Sequence, residues 1–175
     1  MLKLNNKTMK KNELKTGDIL LYKSNHFLAR AIRFFTRGKV NHASICVEIW
    51  GEMFVAESEK QGFIPNKLAD SINGREIWVM RYHKTIDAKK FALRITSMLG
   101  KHRYDFASLL FFQVWYALTG KWIGKRDEHA SKRLYCSEAI AYIYNKELGI
   151  MNEWWRYNPQ MIYEEPGFTI DKLEG

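Results

Sequence analysis

Tyr135-Cys136-Ser137-Glu138 opens an apolar run, Ala139-Ile140-Ala141-Tyr142-Ile143-Tyr144, that reads as a buried helix ending near Gly149. Ninety-four positions upstream, His42 opens a strand-like run, Ala43-Ser44-Ile45-Cys46-Val47. A helix start carries partial positive charge and favours thiolate over thiol. An imidazole within reach can take the thiol proton and later return it to a leaving group. A thiol at a helix start and a histidine on a strand are therefore the parts of a thiol nucleophile site.

The elements between these two segments are those of an α+β domain. Thr16-Gly17-Asp18 makes a turn into a short apolar strand, Ile19 to Tyr22. Ser24 or Asn25 can cap a helix carrying Phe27, Leu28, Ala31, Ile32 and Phe35 on one face, closed by Gly38. Residues 42–49 and 53–58 read as a hairpin turning at Gly51-Glu52. Ile77 to Tyr82 is a further strand, and Asp87 caps a helix bearing Phe91, Ile95, Met98 and Leu99 up to Gly100. Residues 106–119 read as a helix apolar on nearly every side, hence buried or substrate-covering. At about 1.5 Å per residue it spans roughly 21 Å, too short for a bilayer. The tail, 150–175, holds Trp154, Trp155 and Tyr157 and reads as an ordered wrap.

The bulk properties fit one domain with a substantial core: 175 residues, 46% hydrophobic and 27% charged. Net charge is +9, from 28 basic and 19 acidic residues, which favours acidic partners such as an anionic membrane surface. No nucleic-acid motif is present, so no specific nucleic acid is expected. Part of the charge lies in residues 1–13, where Lys3, Lys7, Lys10 and Lys11 face only Glu13. That segment reads as a flexible basic leader before a single domain, 14–175. With neither a signal-peptide-like stretch nor a membrane-spanning run, the chain is expected to be cytoplasmic. Two cysteines make no disulfide framework, and Cys46, mid-strand among apolar residues, reads as core. Paired Cys or His spacing for zinc is missing, so neither metal nor cofactor is expected.

In this order the pieces resemble the circularly permuted branch of the papain-like, NlpC-type cysteine hydrolases, the YiiX-like proteins. Gly17-Asp18-Ile19-Leu20 resembles the opening strand of that family, and Asn41-His42-Ala43-Ser44-Ile45 its histidine strand. Phe54-Val55-Ala56-Glu57-Ser58 resembles the next strand, and Gly62-Phe63-Ile64-Pro65 with Leu68 the segment after it. Gly100 to Asp105 resembles a glycine-to-Tyr-Asp turn, and Tyr135-Cys136-Ser137-Glu138 the nucleophile motif. Histidine precedes cysteine, as the permuted branch requires.

The resemblance implies a circularly permuted papain-like fold: a small antiparallel, barrel-like sheet packed against helices. It implies Cys136 as nucleophile, His42 as general base and later acid, and Glu57 orienting the imidazole. By the same resemblance the Cys136 N–H and Tyr104 are its oxyanion donors; His26, following Ser24-Asn25 near a helix start, is open to two readings, a surface residue or one lining the groove. The implied activity is hydrolysis of an amide, in a small peptide or an acylated substrate, or of an ester, through a thioacyl-enzyme. A thiol acyltransferase or esterase on acyl-lipids, and a non-catalytic binding module, are the competing readings. The nucleophile segment of the acyltransferase relatives begins Asn-Cys-Glu-His, which Tyr-Cys-Ser-Glu does not match.

One distance strains this assignment. A turn at Gly51-Glu52 sets Glu57 opposite Cys46, four residues from the position facing His42, or roughly 13 Å along the strand. Gln61 then stands opposite His42, so Gln61 and Glu59 stay open as the third member. The stretch between Tyr104 and Cys136 carries Phe111, Phe112, Trp115, Tyr116 and Trp122, an aromatic set suited to covering an apolar substrate.

Overall fold

The computed structural model describes residues 3–25, 29–30, 33–34, 37–59, 61–100, 115, 119 and 136–174, with residues 3–7 by backbone alone. Its centre is a seven-stranded sheet in the order β1-β7-β6-β2-β3-β4-β5. The strands are β1 (Lys3–Met9), β2 (Ile19–Lys23), β3 (His42–Ile49), β4 (Glu52–Glu59), β5 (Gly62–Lys67), β6 (Glu76–Tyr82) and β7 (Phe168–Leu173). All neighbours are antiparallel except β1 and β7. The helices are α1 (Leu68–Ile72), α2 (Ala88–Met98), α3 (Cys136–Leu148) and α4 (Pro159–Tyr163).

Alternation along the strands divides the core, because successive side chains leave a strand on opposite faces. Ile19, Leu21, Ala43, Ile45 and Val47 join one cluster with Phe91 and Ile95 of α2 and Ala139, Ile140, Ile143 and Tyr144 of α3. Leu20, Tyr22, Cys46, Val55 and Val79 join the other, closed by Met9, Leu14 and Ile72. β2 and β3 are apolar on both faces because both faces are covered. Asp87 caps α2 as its sequence position predicts, accepting from Lys90 N at 3.1 Å. Gly149, at φ 66°, ends α3 in the left-handed conformation that favours glycine.

Three expectations change. Residues 1–13 are not all a flexible leader. Lys3–Met9 pairs in parallel with β7, Met9 is buried, and Lys11–Glu13 forms a 3-10 turn. The open edge of β7 supplies the hydrogen-bonding partners that the lysine-rich composition conceals. The sheet is accordingly mixed and larger than the small antiparallel barrel expected. The hairpin also turns one residue earlier. Ile49 pairs with Glu52, leaving Trp50 (φ 52°) and Gly51 (φ 82°) as the two turn residues. Positive φ at both central positions is the type I′ geometry that matches strand twist, and a fully exposed Trp50 accepts it.

Residues 29–30 and 33–34 are helical, within the helix expected after Ser24. Of the segment 106–119, Trp115 and Thr119 are described; both are helical and Trp115 is exposed. The other residues of that segment, and the other aromatic residues before Cys136, lie outside the described residues. Among the described residues no helix is long and apolar enough to cross a membrane.

Candidate active site

Two strands and one helix start bring the predicted residues together. His42 is the first residue of β3 and lies directly across from Tyr22 of β2. The two rings stack at 5.3 Å between centroids, tilted by 39°. The Tyr22 hydroxyl is tied to Ser44 Oγ at 2.6 Å, which fixes the platform under the imidazole. Cys136 is the first residue of α3, where the opening amides lack intrahelical partners. The helix lies against β3 and β4. The Tyr144 hydroxyl, two turns on, donates to Gly17 O at 2.5 Å and pins it to the start of β2. From the tail, Tyr157 O accepts from Ser137 Oγ at 2.7 Å, and Gln160 Oε1 accepts from Lys39 N at 2.7 Å. The wrap around 154–163 therefore braces both the thiol segment and the chain entering β3.

The corrected turn also removes the distance problem. The β3–β4 register runs from Ile49–Glu52 to Ile45–Ala56. Continued by one residue, it sets Glu57 across from Ser44 and diagonal to His42. Diagonal neighbours are about 7–8 Å apart, within reach of a long side chain. His42 Nε2 meets Glu57 Oε2 at 2.7 Å, with no bulge needed. Gln61 sits exposed in the turn between β4 and β5, and Glu59 reaches Asn66 rather than His42. Of the three acidic or amide candidates, Glu57 is the one on the imidazole. His26 and Tyr104 lie outside the described residues.

With Nε2 engaged by Glu57, Nδ1 is the ring nitrogen left to meet the thiol. Cys136 Sγ is within hydrogen-bonding reach of the His42 ring and of the backbone N–H groups of Ala43 and Ser137. Burial pushes the thiol up, but the His42 charge and these donors outweigh it and hold Cys136 below the ordinary thiol range. His42 moves the opposite way. Burial disfavours its charge, and the Cys136 thiolate and the Glu57 carboxylate more than offset that, raising it above the usual histidine range. Glu57, buried, is drawn down to about 2 despite desolvation, by the hydrogen bond and charge of His42 and by the Asn66 and Ser71 donors. The three groups form a carboxylate–imidazole–thiol line, with side-chain exposure of 21% at His42 and 5% at Glu57.

Asn66 and Ser71 were not singled out by sequence. A polar residue beside Pro65 in a strand, and a serine in a short helix, carry no signal of their own until Glu57 is placed between them. Among the described residues no group of three or more His, Cys, Asp or Glu side chains is arranged to hold a metal ion. A groove of about 1010 Å³ runs along Met53, Leu68, Ile72, Arg75 and Leu173, and none of Cys136, His42 or Glu57 lines it.

Residues 13–171 match the model of the permuted papain-like amidase enzymes, the YaeF/YiiX, C92 family. The chain belongs to this family. It is thus a cysteine hydrolase of the amide kind, on the permuted fold that the histidine-before-cysteine order predicts. A similar solved structure is that of the metalloprotein YiiX from Escherichia coli O157:H7, at a TM-score of 0.65 and 19% identity. That match covers 89% of this chain and 95% of the other. It supports the fold. No curated relative matches the chain.

Proposed function

We propose that the protein hydrolyses an amide bond of a small peptide or acylated amine through a thioacyl-enzyme, with Cys136 as nucleophile. The observation that carries this reading is the line Glu57–His42–Cys136, in which one imidazole joins a buried carboxylate to a thiol at a helix start. The thiolate attacks the substrate carbonyl carbon. The oxyanion that forms is met by the Cys136 N–H, at a helix start where amides lack intrahelical partners. Protonated His42 gives its Nδ1 proton to the departing amine, and the carbon–nitrogen bond breaks. His42, now neutral, takes a proton from water as the water attacks the thioester, and the acid leaves with Cys136 restored. Glu57 holds the Nε2 proton throughout, keeping the ring in one tautomer and stabilising its charged form.

The similar E. coli protein is described as a metalloprotein. In this chain both Glu57 oxygens are engaged by His42, Asn66 and Ser71, and among the described residues no group of three or more His, Cys, Asp or Glu side chains is placed to hold a metal ion. An ester or acyl-lipid substrate would use the same thiol chemistry. The family's amidase character favours the amide.

The reading is tested by incubating the protein with muropeptide and N-acyl amine mixtures and identifying products by mass spectrometry. The expected result is release of an amine, with a thioester adduct trapped on Cys136 at short times. Turnover that survives Cys136→Ser, or adducts on another residue, overturns it. Cleavage confined to acyl esters moves the assignment to the esterase reading.

A further inference from the structure

We propose that Ser71 and Asn66 are positioning residues that set the reactivity of Cys136 through Glu57 and His42. The proposal rests on the amidase reading above. An ionised carboxylate offers two oxygens and about four acceptor positions. Glu57 gives Oε2 to His42 and turns Oε1 toward two neutral donors, Ser71 Oγ at 2.8 Å and Asn66 Nδ2 at 2.8 Å. Asn66 Nδ2 also donates to Glu59 Oε1 at 2.6 Å, so one amide nitrogen ties the two carboxylates together. Ser71 is 3% exposed. A serine within a helix commonly turns its hydroxyl back to a carbonyl of its own preceding turn. Here it leaves α1 and reaches across to the β4 carboxylate.

Neither donor titrates, so both stay donors at every working pH. Together they stop the carboxylate from rotating and decide which oxygen faces the ring. They also favour its ionised form, and through it a proton on His42 Nε2. The thiolate gains in turn, because it is the imidazolium that lowers Cys136. The titratable and charged groups facing this line are Tyr22 from β2, with Arg75 over its ring at 5.4 Å, Glu59 through Asn66, and Cys136 from α3. Tyr22 is pushed far above its usual range, by burial first and the Glu57 charge second, and stays neutral. Two side chains on β5 and α1, neither of them near the thiol in sequence, thus complete a relay that the Cys–His–Glu triplet alone leaves unanchored.

The test compares the full-length protein with Ser71→Ala, Asn66→Ala, the double variant and Ser71→Thr. Alkylation of Cys136 by iodoacetamide is followed against pH by peptide mass spectrometry, with thermal melts alongside. In the double variant the pH at which alkylation sets in should move up by on the order of one unit. Alkylation at mildly acidic pH should fall by on the order of tenfold. Ser71→Thr, which keeps the hydroxyl, should follow the parent protein. Should the double variant not fold, each single variant is expected to show a smaller shift of the same sign. Profiles that superimpose on the parent, whether or not the melting temperature drops, overturn the proposal and leave Ser71 and Asn66 as partners of a buried carboxylate only. If the parent Cys136 itself alkylates like a free thiol, the amidase reading falls with it, so the two failures are distinguishable.

Discussion

The molecule contains the same three groups twice, a carboxylate, a base and a cysteine, and makes different use of them. Just before β2 the buried Asp18 is gripped by Arg81 through two hydrogen bonds, 2.8 Å from Nε and 2.6 Å from Nη2. Asp18 Oδ2 also accepts from Lys15 N at 2.8 Å, and its backbone carbonyl accepts from Cys46 N. Burial pushes the Cys46 thiol well up and the Asp18 charge adds to that, against the weaker pull of Arg81. At the start of α3, Glu57, His42 and Cys136 give a lowered thiol. The order of the groups makes the difference. The guanidinium is spent on the carboxylate, and it cannot release a proton at any working pH. The imidazole stands between carboxylate and thiol and can. The first set is a structural clamp and the second a proton path.

The largest break in this comparison should come from the two cysteines themselves. Cys136→Ala is expected to lower amide turnover by at least about 10³-fold. Cys46→Ala should leave turnover in place and cost only about 1 kcal/mol of stability, through a small cavity. Parallel assays and urea melts on the two variants check this. Removing the bases comes next. His42→Ala should cost about 10²- to 10⁴-fold in kcat and abolish early alkylation of Cys136. Arg81→Met should leave Cys136 alkylation unchanged while lowering stability, by about 1–3 kcal/mol, because Asp18 is buried without its partner.

The pH dependence sharpens the contrast further. Glu57 is lowered from its ordinary value of 4.5 to about 2. Its contribution to stability is therefore complete above about 4.5 and is lost as pH falls toward about 2. The stability gap between the parent protein and Glu57→Gln, on the order of 2 kcal/mol at neutral pH, should close across that interval in urea titrations. His42 has the opposite sign. Its raised value adds stability below about 6.5 that disappears as pH climbs through the folded-state value, so the parent should lose more stability than His42→Ala on the alkaline side. The smallest effect concerns the hairpin. Trp50→Asn, a residue that tolerates the left-handed conformation, should stabilise the type I′ turn by a few tenths of a kcal/mol without changing turnover.

The parts of this site that were legible in the sequence are those set by local rules. Cys136 at a helix start, His42 at the head of an apolar strand, the Asp87 cap and the Gly149 stop each follow from neighbours a few residues away. Glu57 was legible as a residue and not as a distance. One residue of error in the turn moved it from the diagonal of His42 to about 13 Å away, because strand register carries such an error the whole length of a hairpin. Tryptophan is a poor sequence signal for a left-handed turn position, so the local sequence favours a turn at Gly51-Glu52 over one at Trp50-Gly51. Strand β1 was hidden by its lysines: charge forecasts exposure, and an edge strand can be exposed and still paired. Asn66 and Ser71 were hidden for a different reason. Their role exists only relative to Glu57, which lies 9 and 14 residues away and meets them through the sheet and α1.

The central claim is that the imidazole between Glu57 and Cys136 makes one cysteine reactive and leaves the other inert. Site-resolved iodoacetamide alkylation of the native protein, read for Cys136 and Cys46 in the same samples across pH 4 to 10 (roughly the span between ordinary carboxylate and thiol values), tests it most directly. Cys136 is expected to react well below the pH at which an ordinary thiol ionises, while Cys46 stays unmodified throughout. A Cys136 profile rising only in the ordinary thiol range, or Cys46 reacting alongside it, would contradict it.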